Sequence, residues 1–354
     1  MRIVITGASG NVGSALLRRL ADGGSHELVG LVRRPPGNGD PFPDTEWIPV
    51  DLTDDDPSTL RLACEGADAV VHLAWGFQPT HREDYLEELG VGGTRRVIEA
   101  VIAAGVPHLV HMSSVGAYSP KRDDARVDED WPTGGVRSSM YSRHKSAAER
   151  LLDALERDRP ELVVSRMRPG IVGQGRAGSA LLRYGLPALV PSGVIDHLPV
   201  LPLDRGLAVP MVHADDVADA IARTLEARAP GAFNLAAEPV ITAQHIADAL
   251  QARLVHVPSA AVRAAVSASW HARLQPLDPG WIDMAYALPL LDTTRALTEL
   301  GWSPTKDATE VLAETLAGMR DAAAGRTPVL RPRTVASGLL RALRRGPVSS
   351  RREP

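Results

Sequence analysis

The segment RIVITGASGNVGSALLRRL (2–20) constrains the fold more strongly than any other part of the chain. A short β-branched run comes first, glycines stand at positions 7, 10 and 13, and an amphipathic helical pattern follows. Gly7 permits a tight turn, Gly10 lets the main chain approach a pyrophosphate, and Gly13 allows a helix to pack closely on the strand. The N-terminus of that helix presents unpaired N–H groups and a positive dipole end to phosphate. The segment therefore predicts a dinucleotide-binding turn between the first strand and the first helix.

Short β-branched runs alternate with helical patterns through the first two-thirds of the sequence. One helical stretch, 12–22, has an apolar stripe and ends before Gly23 and Gly24, which are typical helix terminators. The predicted buried strands are 2–6, 27–32, 69–74, 108–114 and 162–169. Such repetition indicates a parallel sheet covered by helices on both faces. We predict an α/β fold: a doubly wound, Rossmann-type parallel sheet with a smaller, mostly helical C-terminal substrate lobe.

The alternation loosens after residue 173, and this change sets the predicted domain boundaries. Residues 174–207 are rich in Gly, Pro and Leu, a strand–helix signal returns at 209–227, and 240–322 is mostly helical. The C-terminal segment carries eight arginines against one acid, Glu353. The predicted units are a nucleotide-binding Rossmann domain over 1–173, completed by 209–236, a substrate-binding lobe over 174–208 and 237–323, and a basic, flexible tail over 324–354.

The composition excludes several classes of partner and site. The formal net charge of −4 gives no reason to expect nucleic acid or a membrane surface as a partner. No run of about 18 apolar residues exists, and glycine at position 7 interrupts the N-terminal apolar run before it can form a signal peptide. The single cysteine, Cys64, excludes an internal disulfide framework and fits a reducing compartment. We predict a cytoplasmic protein that acts on a small molecule.

The end of the second strand indicates which dinucleotide the turn would bind. A carboxylate there would accept the ribose 2′-OH of NAD, whereas arginine would favour the 2′-phosphate of NADP. The chain has Arg33 and Arg34 at this point, and the guanidinium fork suits a phosphate. NADP is therefore predicted and NAD stays open, because two solvent-facing arginines also fit an arginine-rich protein. Asp51, after the third strand, is placed either to accept from the adenine amine or to cap the next helix.

The helical pattern SMYSRHKSAAERLLDAL (139–155) places a tyrosine and a lysine four residues apart, at Tyr141 and Lys145. Lysine is rare in this arginine-rich chain. The spacing puts both side chains on one helix face. An ammonium group there favours the phenolate, so it should lower the tyrosine pKa from its ordinary value of about 10 toward useful basicity. The lysines of the chain are Lys121, Lys145 and Lys306.

With the glycine turn, HMSSVGAY (111–118) and YSRHK (141–145), the chain resembles the extended short-chain dehydrogenase/reductases, the group that includes the NAD-dependent epimerases and dehydratases. The resemblance covers roughly 1–320. It continues, in the order of the family, through HLAW (72–75), RPGIVG (168–173), VHADDVADAI (212–221), FNLA (233–236) and LGWSP (300–304).

The resemblance implies a catalytic set and a set of cofactor contacts. Tyr141 would be the acid/base and Lys145 its activator. Ser114, rather than Ser113, would hydrogen-bond the reacting oxygen, because the family's serine lies four residues before a tyrosine, here Tyr118. The implied NAD(P)-binding residues are Gly7, Ser9, Gly10, Asn11, Val12, Gly13, Arg33, Arg34, Asp51, Leu52, Leu73, Ala74, Trp75, Tyr141, Lys145, Pro169, Gly170 and Val172.

Three positions depart from the family's sugar-nucleotide enzymes. The 4,6-dehydratases carry an Asp-Glu pair directly after the serine, where this chain has Val115 and Gly116, which argues against water elimination. Many epimerases have an asparagine that contacts the substrate diphosphate where this chain has Gly170, which weakens the case for a nucleotide sugar. A second asparagine of the family, which supports the active-site hydrogen-bond network, is replaced by Gly90.

The resemblance implies an NAD(P)-dependent oxidoreductase that transfers a hydride between nicotinamide C4 and a carbinol or ketone carbon. Two alternatives stay open: a sugar-nucleotide epimerase with tightly bound NAD, and a non-catalytic NAD(P)-sensing protein. The family often dimerises through a four-helix interface that includes the helix of the catalytic tyrosine, so a homodimer is also expected.

The remaining candidates have ordinary structural interpretations beside their functional ones. Trp75 is placed either to line the nicotinamide pocket or to pack in the core. His72 fits a hydrogen-bonded core histidine. His213, Asp215 and Asp216 resemble a metal cluster, but their sequence context is typical of a strand-to-helix joint with an Asp cap, and no metal is predicted.

Overall fold

The computed structural model describes residues 1–332, except 22–23, 25, 38–40, 55, 77–81, 186–192, 194–196 and 276. The part of the predicted basic tail from 333 to 354 therefore lies outside the described residues. So do 186–192 and 194–196, which belong to the predicted substrate lobe.

A seven-stranded parallel sheet forms the centre of the molecule, in the order β11-β7-β5-β4-β1-β2-β3. β1 lies between β2 and β4, so the strand order reverses beside it, which is where open parallel sheets bind ligands. The strands are β1 (Arg2–Thr6), β2 (Glu27–Val32), β3 (Thr45–Pro49), β4 (Ala69–His72), β5 (His108–Met112), β6 (Arg126–Val127), β7 (Val163–Pro169), β8 (Ile171–Gly173), β9 (Val200–Leu203), β10 (Ala208–His213), β11 (Gly231–Leu235), β12 (Ala237–Thr242), β13 (Arg253–His256) and β14 (Leu290–Leu291).

Helices cover both faces of this sheet. Successive strand residues alternate between two cores: Ile3 and Ile5 pack in the core that includes α1 and α7, and Val4 packs in the core that includes α2, α4 and α5. The predicted doubly wound α/β fold is confirmed. The helices are α1 (Asn11–Ala21), α2 (Ser58–Cys64), α3 (Glu83–Glu87), α4 (Gly93–Ala104), α5 (Met140–Asp158), α6 (Gly178–Gly185), α7 (Ala214–Ala227), α8 (Ala243–Ala249), α9 (Ser259–His271), α10 (Gly280–Ala287), α11 (Thr294–Leu300) and α12 (Ala308–Arg320).

None of the helices in the described part of the chain is both long and apolar enough to cross a membrane.

Smaller sheets lie beyond the central one. β10 pairs with β8 and β12 in a three-stranded sheet, and β13 pairs with β9. The segment 209–236 was predicted to complete the nucleotide-binding domain. Its strand β11 joins the edge of the central sheet, whereas β10 belongs to the three-stranded sheet. α10, from the C-terminal part of the chain, packs closely against the N-terminal end of α5. Glycine at position 280 permits this contact, because a Cβ there would lie 2.5 Å from the Ser138 carbonyl oxygen.

The segment 324–332, which we call the C-terminal strap, returns from the end of α12 to the glycine turn. The Thr327 hydroxyl donates a hydrogen bond to the Ser9 carbonyl oxygen (2.8 Å). Leu330 is 2% exposed and packs with Ala177 and Ala180. The prediction of a flexible tail beginning at 324 is therefore wrong for the strap, because apolar packing and a buried hydrogen bond hold these residues against the domain.

Candidate active site

The glycine turn has the geometry that its sequence predicts. Gly7 has a φ of +70°, and a Cβ there would lie 2.7 Å from the Ala74 nitrogen at the end of β4. A Cβ at Gly13 would lie 2.4 Å from the Gly7 carbonyl oxygen, so α1 can pack this closely on the turn only with glycine there. At Gly10, among the described residues other than its chain neighbours, such a Cβ would have only the Gly7 carbonyl oxygen within 4 Å, at 3.1 Å. The turn therefore has no room for a side chain at Gly7 or Gly13, whereas the main chain at Gly10 is accessible to a ligand.

A cleft of about 640 Å³ runs along the carboxyl ends of the parallel strands, from the end of β2 past the glycine turn to α5. Ser114 and all but one of the predicted cofactor contacts line it. Those contacts are Gly7, Ser9, Gly10, Asn11, Val12, Gly13, Arg33, Arg34, Leu52, Leu73, Ala74, Trp75, Tyr141, Lys145, Pro169, Gly170 and Val172.

Asp51 is the exception. Its neighbours Val50 and Leu52 line the cleft, but Asp51 does not. Its carboxylate accepts hydrogen bonds from the main-chain N–H (2.9 Å) and the hydroxyl (2.8 Å) of Thr53. Asp51 therefore neither lines the cleft nor caps α2, whose N-cap is Pro57; its carboxylate closes a local turn instead.

The charged residues along the cleft are all basic within the described part of the chain. Arg33 and Arg34 follow β2, and the Arg33 guanidinium donates to the Tyr85 hydroxyl (2.7 Å). Arg183 and Arg331 belong to α6 and the strap, and the Arg183 guanidinium donates to strap carbonyl oxygens. A cleft with this lining attracts an anionic ligand.

Ser114 and Tyr141 meet at the far end of the cleft. Ser114 follows β5 and begins the 3₁₀ turn Val115–Ala117, where its Oγ accepts from the Gly116 N–H (3.0 Å). Tyr141 lies in the first turn of α5, and its phenol is close enough to the Ser114 side chain for that hydroxyl to lower its pKa. The neighbouring Ser113 hydroxyl donates instead to Glu149 (2.5 Å). The geometry thus brings Ser114, and not Ser113, to Tyr141.

Lys145 lies one turn after Tyr141 and is 2% exposed. Its Nζ donates to the Met112 carbonyl oxygen (2.8 Å) and sits 3.5 Å from the centroid of the Trp75 ring, a cation–π contact. Burial lowers the pKa of Lys145 to about 7, although the charge of Glu149 raises it. Trp75 therefore both lines the cleft and packs against the lysine, so its two predicted roles coexist.

The spacing argument for a lowered tyrosine pKa is wrong for this geometry. Burial raises the pKa of Tyr141 to about 12, and the hydrogen bond from Ser114 offsets only part of that effect. The Lys145 ammonium lies 5.9 Å from the centroid of the Tyr141 ring and is engaged by Met112 and Trp75. Desolvation of the phenolate therefore outweighs the attraction of the ammonium.

A buried charge network beneath the catalytic set was not predicted. Glu149, one turn after Lys145, accepts from Arg168 (3.0 and 2.8 Å) and from Arg166 (2.8 Å). Arg168 also donates to the Tyr118 hydroxyl (3.0 Å). The sequence did contain a signal for this network, because Glu149 lies four residues after Lys145 and therefore on the same face of α5 as Tyr141 and Lys145. Its partners come from β7, which is distant in sequence.

The structure explains the three departures from the sugar-nucleotide enzymes sterically. A Cβ at Gly116 would lie 2.9 Å from a ring carbon of Tyr141, and one at Gly90 would lie 3.0 Å from the Trp75 ring. A Cβ at Gly170 would lie 2.5 Å from the Pro210 carbonyl oxygen. An asparagine at 170 therefore cannot be accommodated without moving the main chain of β10.

The histidine and aspartate candidates have structural partners. His72 Nδ1 is 2.7 Å from the Thr6 hydroxyl and its Nε2 is 3.1 Å from the Thr94 hydroxyl, so this histidine is hydrogen-bonded in the core, as predicted. His213, not an aspartate, caps α7, because its Nδ1 accepts from the Asp215 N–H (3.1 Å). Asp216 accepts from the Thr305 hydroxyl and N–H instead. Among the described residues, no group of three or more potential ligands could hold a metal ion.

Comparison with known proteins decides the family. The family model for the NAD-dependent epimerase/dehydratase family matches residues 3–236. The chain belongs to this family. A dTDP-6-deoxy-L-talose 4-dehydrogenase (NAD(P)(+)) from Kitasatospora kifunensis is 28% identical over 88% of this chain and 94% of that protein. The family predicted from the sequence is thus confirmed, and the protein is an NAD(P)-dependent enzyme.

Two further similarities bear on length and fold. An uncharacterized protein from Mycobacterium tuberculosis is 27% identical over 88% of this chain, and the match spans only 29% of that longer protein. The structure of the UDP-glucose 4-epimerase from Thermus thermophilus in complex with NAD is 22% identical, with a TM-score of 0.67, covering 91% of this chain and 100% of that chain. The second similarity concerns the fold alone.

Proposed function

We propose that the chain is an NADP-preferring oxidoreductase in which Tyr141 exchanges a proton with the oxygen of a carbonyl or carbinol substrate. The observation that carries the proposal is the pair formed by Ser114 and Tyr141, which line the cleft together. It lies beside the buried Lys145, at one end of a cleft whose middle is the glycine turn. The sequence-based expectations of a cytoplasmic location, a homodimer and the two-part domain division remain predictions.

The residues of the cleft fit a dinucleotide. The open face of Gly10 and the first turn of α1 (Asn11, Val12) suit a pyrophosphate, because no Cβ blocks the main chain there. Asn11 fixes this turn by donating to the Val172 carbonyl oxygen (3.2 Å). Lys145 would hold the hydroxyls of the nicotinamide ribose. When bound, the nicotinamide supplies or accepts the hydride.

The acid/base chemistry follows from the two shifted groups. With a pKa raised to about 12, Tyr141 keeps its proton near neutrality and can donate it to a carbonyl oxygen. Ser114 would orient that oxygen by sharing its hydroxyl with the phenol. Burial lowers the pKa of Lys145 to about 7, so its amino group gains or loses its charge near neutral pH. Its titration is also coupled to the charges of neighbouring groups. The site therefore favours proton donation, which is the direction of carbonyl reduction.

The preference for NADP over NAD rests on Arg33 and Arg34. Both line the cleft at the end of β2, where no carboxylate lines it among the described residues. A guanidinium group can hold the 2′-phosphate by two hydrogen bonds, whereas NAD offers it only a hydroxyl. Tyr85 supports this arrangement by holding the Arg33 side chain.

Cofactor titration tests this preference. We expect NADPH to bind at least about tenfold more tightly than NADH, and the R33A/R34A variant to lose about 10- to 100-fold in NADPH affinity. NADH affinity should change by less than about threefold. Arg61→Ala, on the exposed face of α2, is the matched control. Equal binding of the two cofactors by the unaltered chain would refute the preference.

The role of Tyr141 is tested by turnover with a panel of ketones and UDP-sugars. Tyr141→Phe should reduce turnover by at least about 100-fold with cofactor affinity retained. Tyr286→Phe is the control, since the Tyr286 hydroxyl accepts from the Asp204 N–H in the C-terminal part of the chain. The non-catalytic sensing alternative predicts that neither variant matters. An epimerase with tightly bound NAD predicts cofactor retained on purification and no net consumption of NADPH.

A further inference from the structure

The part of the cleft beside the Tyr141 ring is lined by apolar side chains. α10 contributes Trp281 and Met284, Leu288 directly follows this helix, and the 3₁₀ turn after β5 contributes Val115. These residues form one hydrophobic cluster with the Tyr141 ring. Met284 is 7% exposed and Leu288 3%, so the wall is well packed and not a surface patch.

Two indole rings enclose the phenol. The Trp281 and Tyr141 rings are 5.2 Å apart at an interplanar angle of 32°. The Trp75 ring meets Tyr141 edge-on, at 6.4 Å and 78°. Trp281 is only partly buried, so it presents apolar surface to whatever enters beside Tyr141.

The polar side chains at the Tyr141 end of the cleft can hydrogen-bond a single substrate oxygen. Of the described lining residues here, Ser114 and Tyr141 carry hydroxyl groups, the Ser114 Oγ accepts from the Gly116 N–H, and Ser113 is bound to Glu149. Lys145 is bound to the Met112 carbonyl oxygen. Among the described lining residues, a sugar ring buried here would find no partners for several of its hydroxyls, and each unpaired hydroxyl would weaken binding substantially.

The basic residues of the cleft lie elsewhere. Arg33 and Arg34 follow β2, and Arg183 bonds the strap that packs on the glycine turn. Where the epimerases of the family hold the substrate diphosphate, Gly170 faces the Pro210 carbonyl, and no side chain fits. The anion-binding capacity of the cleft therefore belongs to its dinucleotide part.

We infer that the substrate is a ketone, or the matching secondary alcohol, whose carbonyl carbon carries apolar alkyl or aryl groups, and not a nucleotide sugar. This inference rests on the proposed function. In the reduction, the C=O π bond breaks, the carbon gains a hydride and the oxygen gains the Tyr141 proton. NADPH is oxidised to NADP⁺, and the phenolate recovers a proton from solvent. An alkyl or aryl flank packs on Trp281, Met284 and Leu288.

The test is NADPH oxidation by the full chain with acetophenone and 2-octanone, compared with NADP⁺ reduction by UDP-glucose and UDP-galactose. We expect turnover of the ketones only. Trp281→Ala should lower kcat/KM for acetophenone by about tenfold or more, because it removes the flank's packing surface. Trp281→Phe should recover most of this loss. Trp270→Ala, a tryptophan of α9 that does not line the cleft, should stay within about twofold of the unaltered chain.

The outcomes separate this inference from the proposed function. Turnover of a UDP-sugar without turnover of either ketone overturns the inference and leaves the proposed function intact. Ketone turnover that Trp281→Ala leaves unchanged, in a protein with a native circular dichroism spectrum, also overturns it. Turnover of neither set by protein that binds NADPH overturns both.

Discussion

Replacing Glu149 by glutamine tests the charge network beneath the Ser114–Tyr141 pair. The Glu149 side chain is completely buried and is paired with Arg166 and Arg168. Burial alone raises the pKa of this carboxyl, but the hydrogen bonds and charges of the two guanidinium groups hold it at about 2, against an ordinary 4.5. At about 1.36 kcal/mol per pKa unit, the difference corresponds to about 3 kcal/mol of folding free energy at neutral pH.

The sign of the pH dependence follows from the direction of this shift. Because the folded-state pKa lies below the unfolded value, the contribution of Glu149 is fully present above pH 4.5 and is lost as the pH falls toward 2. The stability difference between the unaltered chain and Glu149→Gln should therefore be largest at neutral pH and should narrow in acid. Since Glu149 also raises the pKa of Lys145, the variant should shift the pH profile of turnover to lower pH.

Urea unfolding at pH 7 measures the effect. We expect Glu149→Gln to lose about 3 kcal/mol of unfolding free energy, since it leaves two buried guanidinium groups without their main partner. Glu156→Gln is the matched control: Glu156 pairs with the same Arg166, but its side chain is 38% exposed, and we expect a loss below about 1 kcal/mol. Equal stabilities of the two variants would refute the reasoning.

Three other substitutions probe the site and the strap. Lys145→Met removes a buried ammonium whose pKa burial lowers from 10.5 to about 7; because the charged lysine is therefore less stable in the folded than in the unfolded chain at pH 6, the variant should unfold at a higher temperature there, while turnover falls at least about 100-fold. Gly116→Ala places a Cβ 2.9 Å from the Tyr141 ring, so kcat should fall about tenfold while the circular dichroism spectrum is unchanged. Thr327→Val removes the hydrogen bond to Ser9 and should reduce the unfolding free energy in urea by about 1 kcal/mol.

Local patterns predicted the part of the site that local structure determines. The glycine turn occupies one strand–turn–helix unit, and its three glycines have the steric roles that their spacing indicates. The choice of Ser114 over Ser113 came from the family resemblance, in which the serine lies four residues before a tyrosine, here Tyr118. The structure places Ser114 toward Tyr141 and Ser113 toward Glu149.

The features that were missed depend on long-range contacts or on burial. Thr327 meets Ser9 across almost the whole chain, so nothing in the sequence around the strap indicates that it packs. Asp51 was compatible with adenine contact or with helix capping, and the structure shows it closing a local turn with Thr53 instead. The i, i+4 spacing predicted that Lys145 neighbours Tyr141, but not that burial would outweigh its charge.

The acid strength of Tyr141 and the choice of substrate depend on the same apolar groups. Trp281 and Trp75 enclose the phenol, and its burial raises the pKa to about 12. A substrate with apolar flanks leaves that enclosure dry, so the phenol stays protonated until the carbonyl oxygen develops charge. A sugar would bring hydroxyls and their water against the ring, and the better solvated phenolate would then cost less to form. Under the inferred substrate preference, the apolar pocket that would select the ketone also keeps Tyr141 protonated.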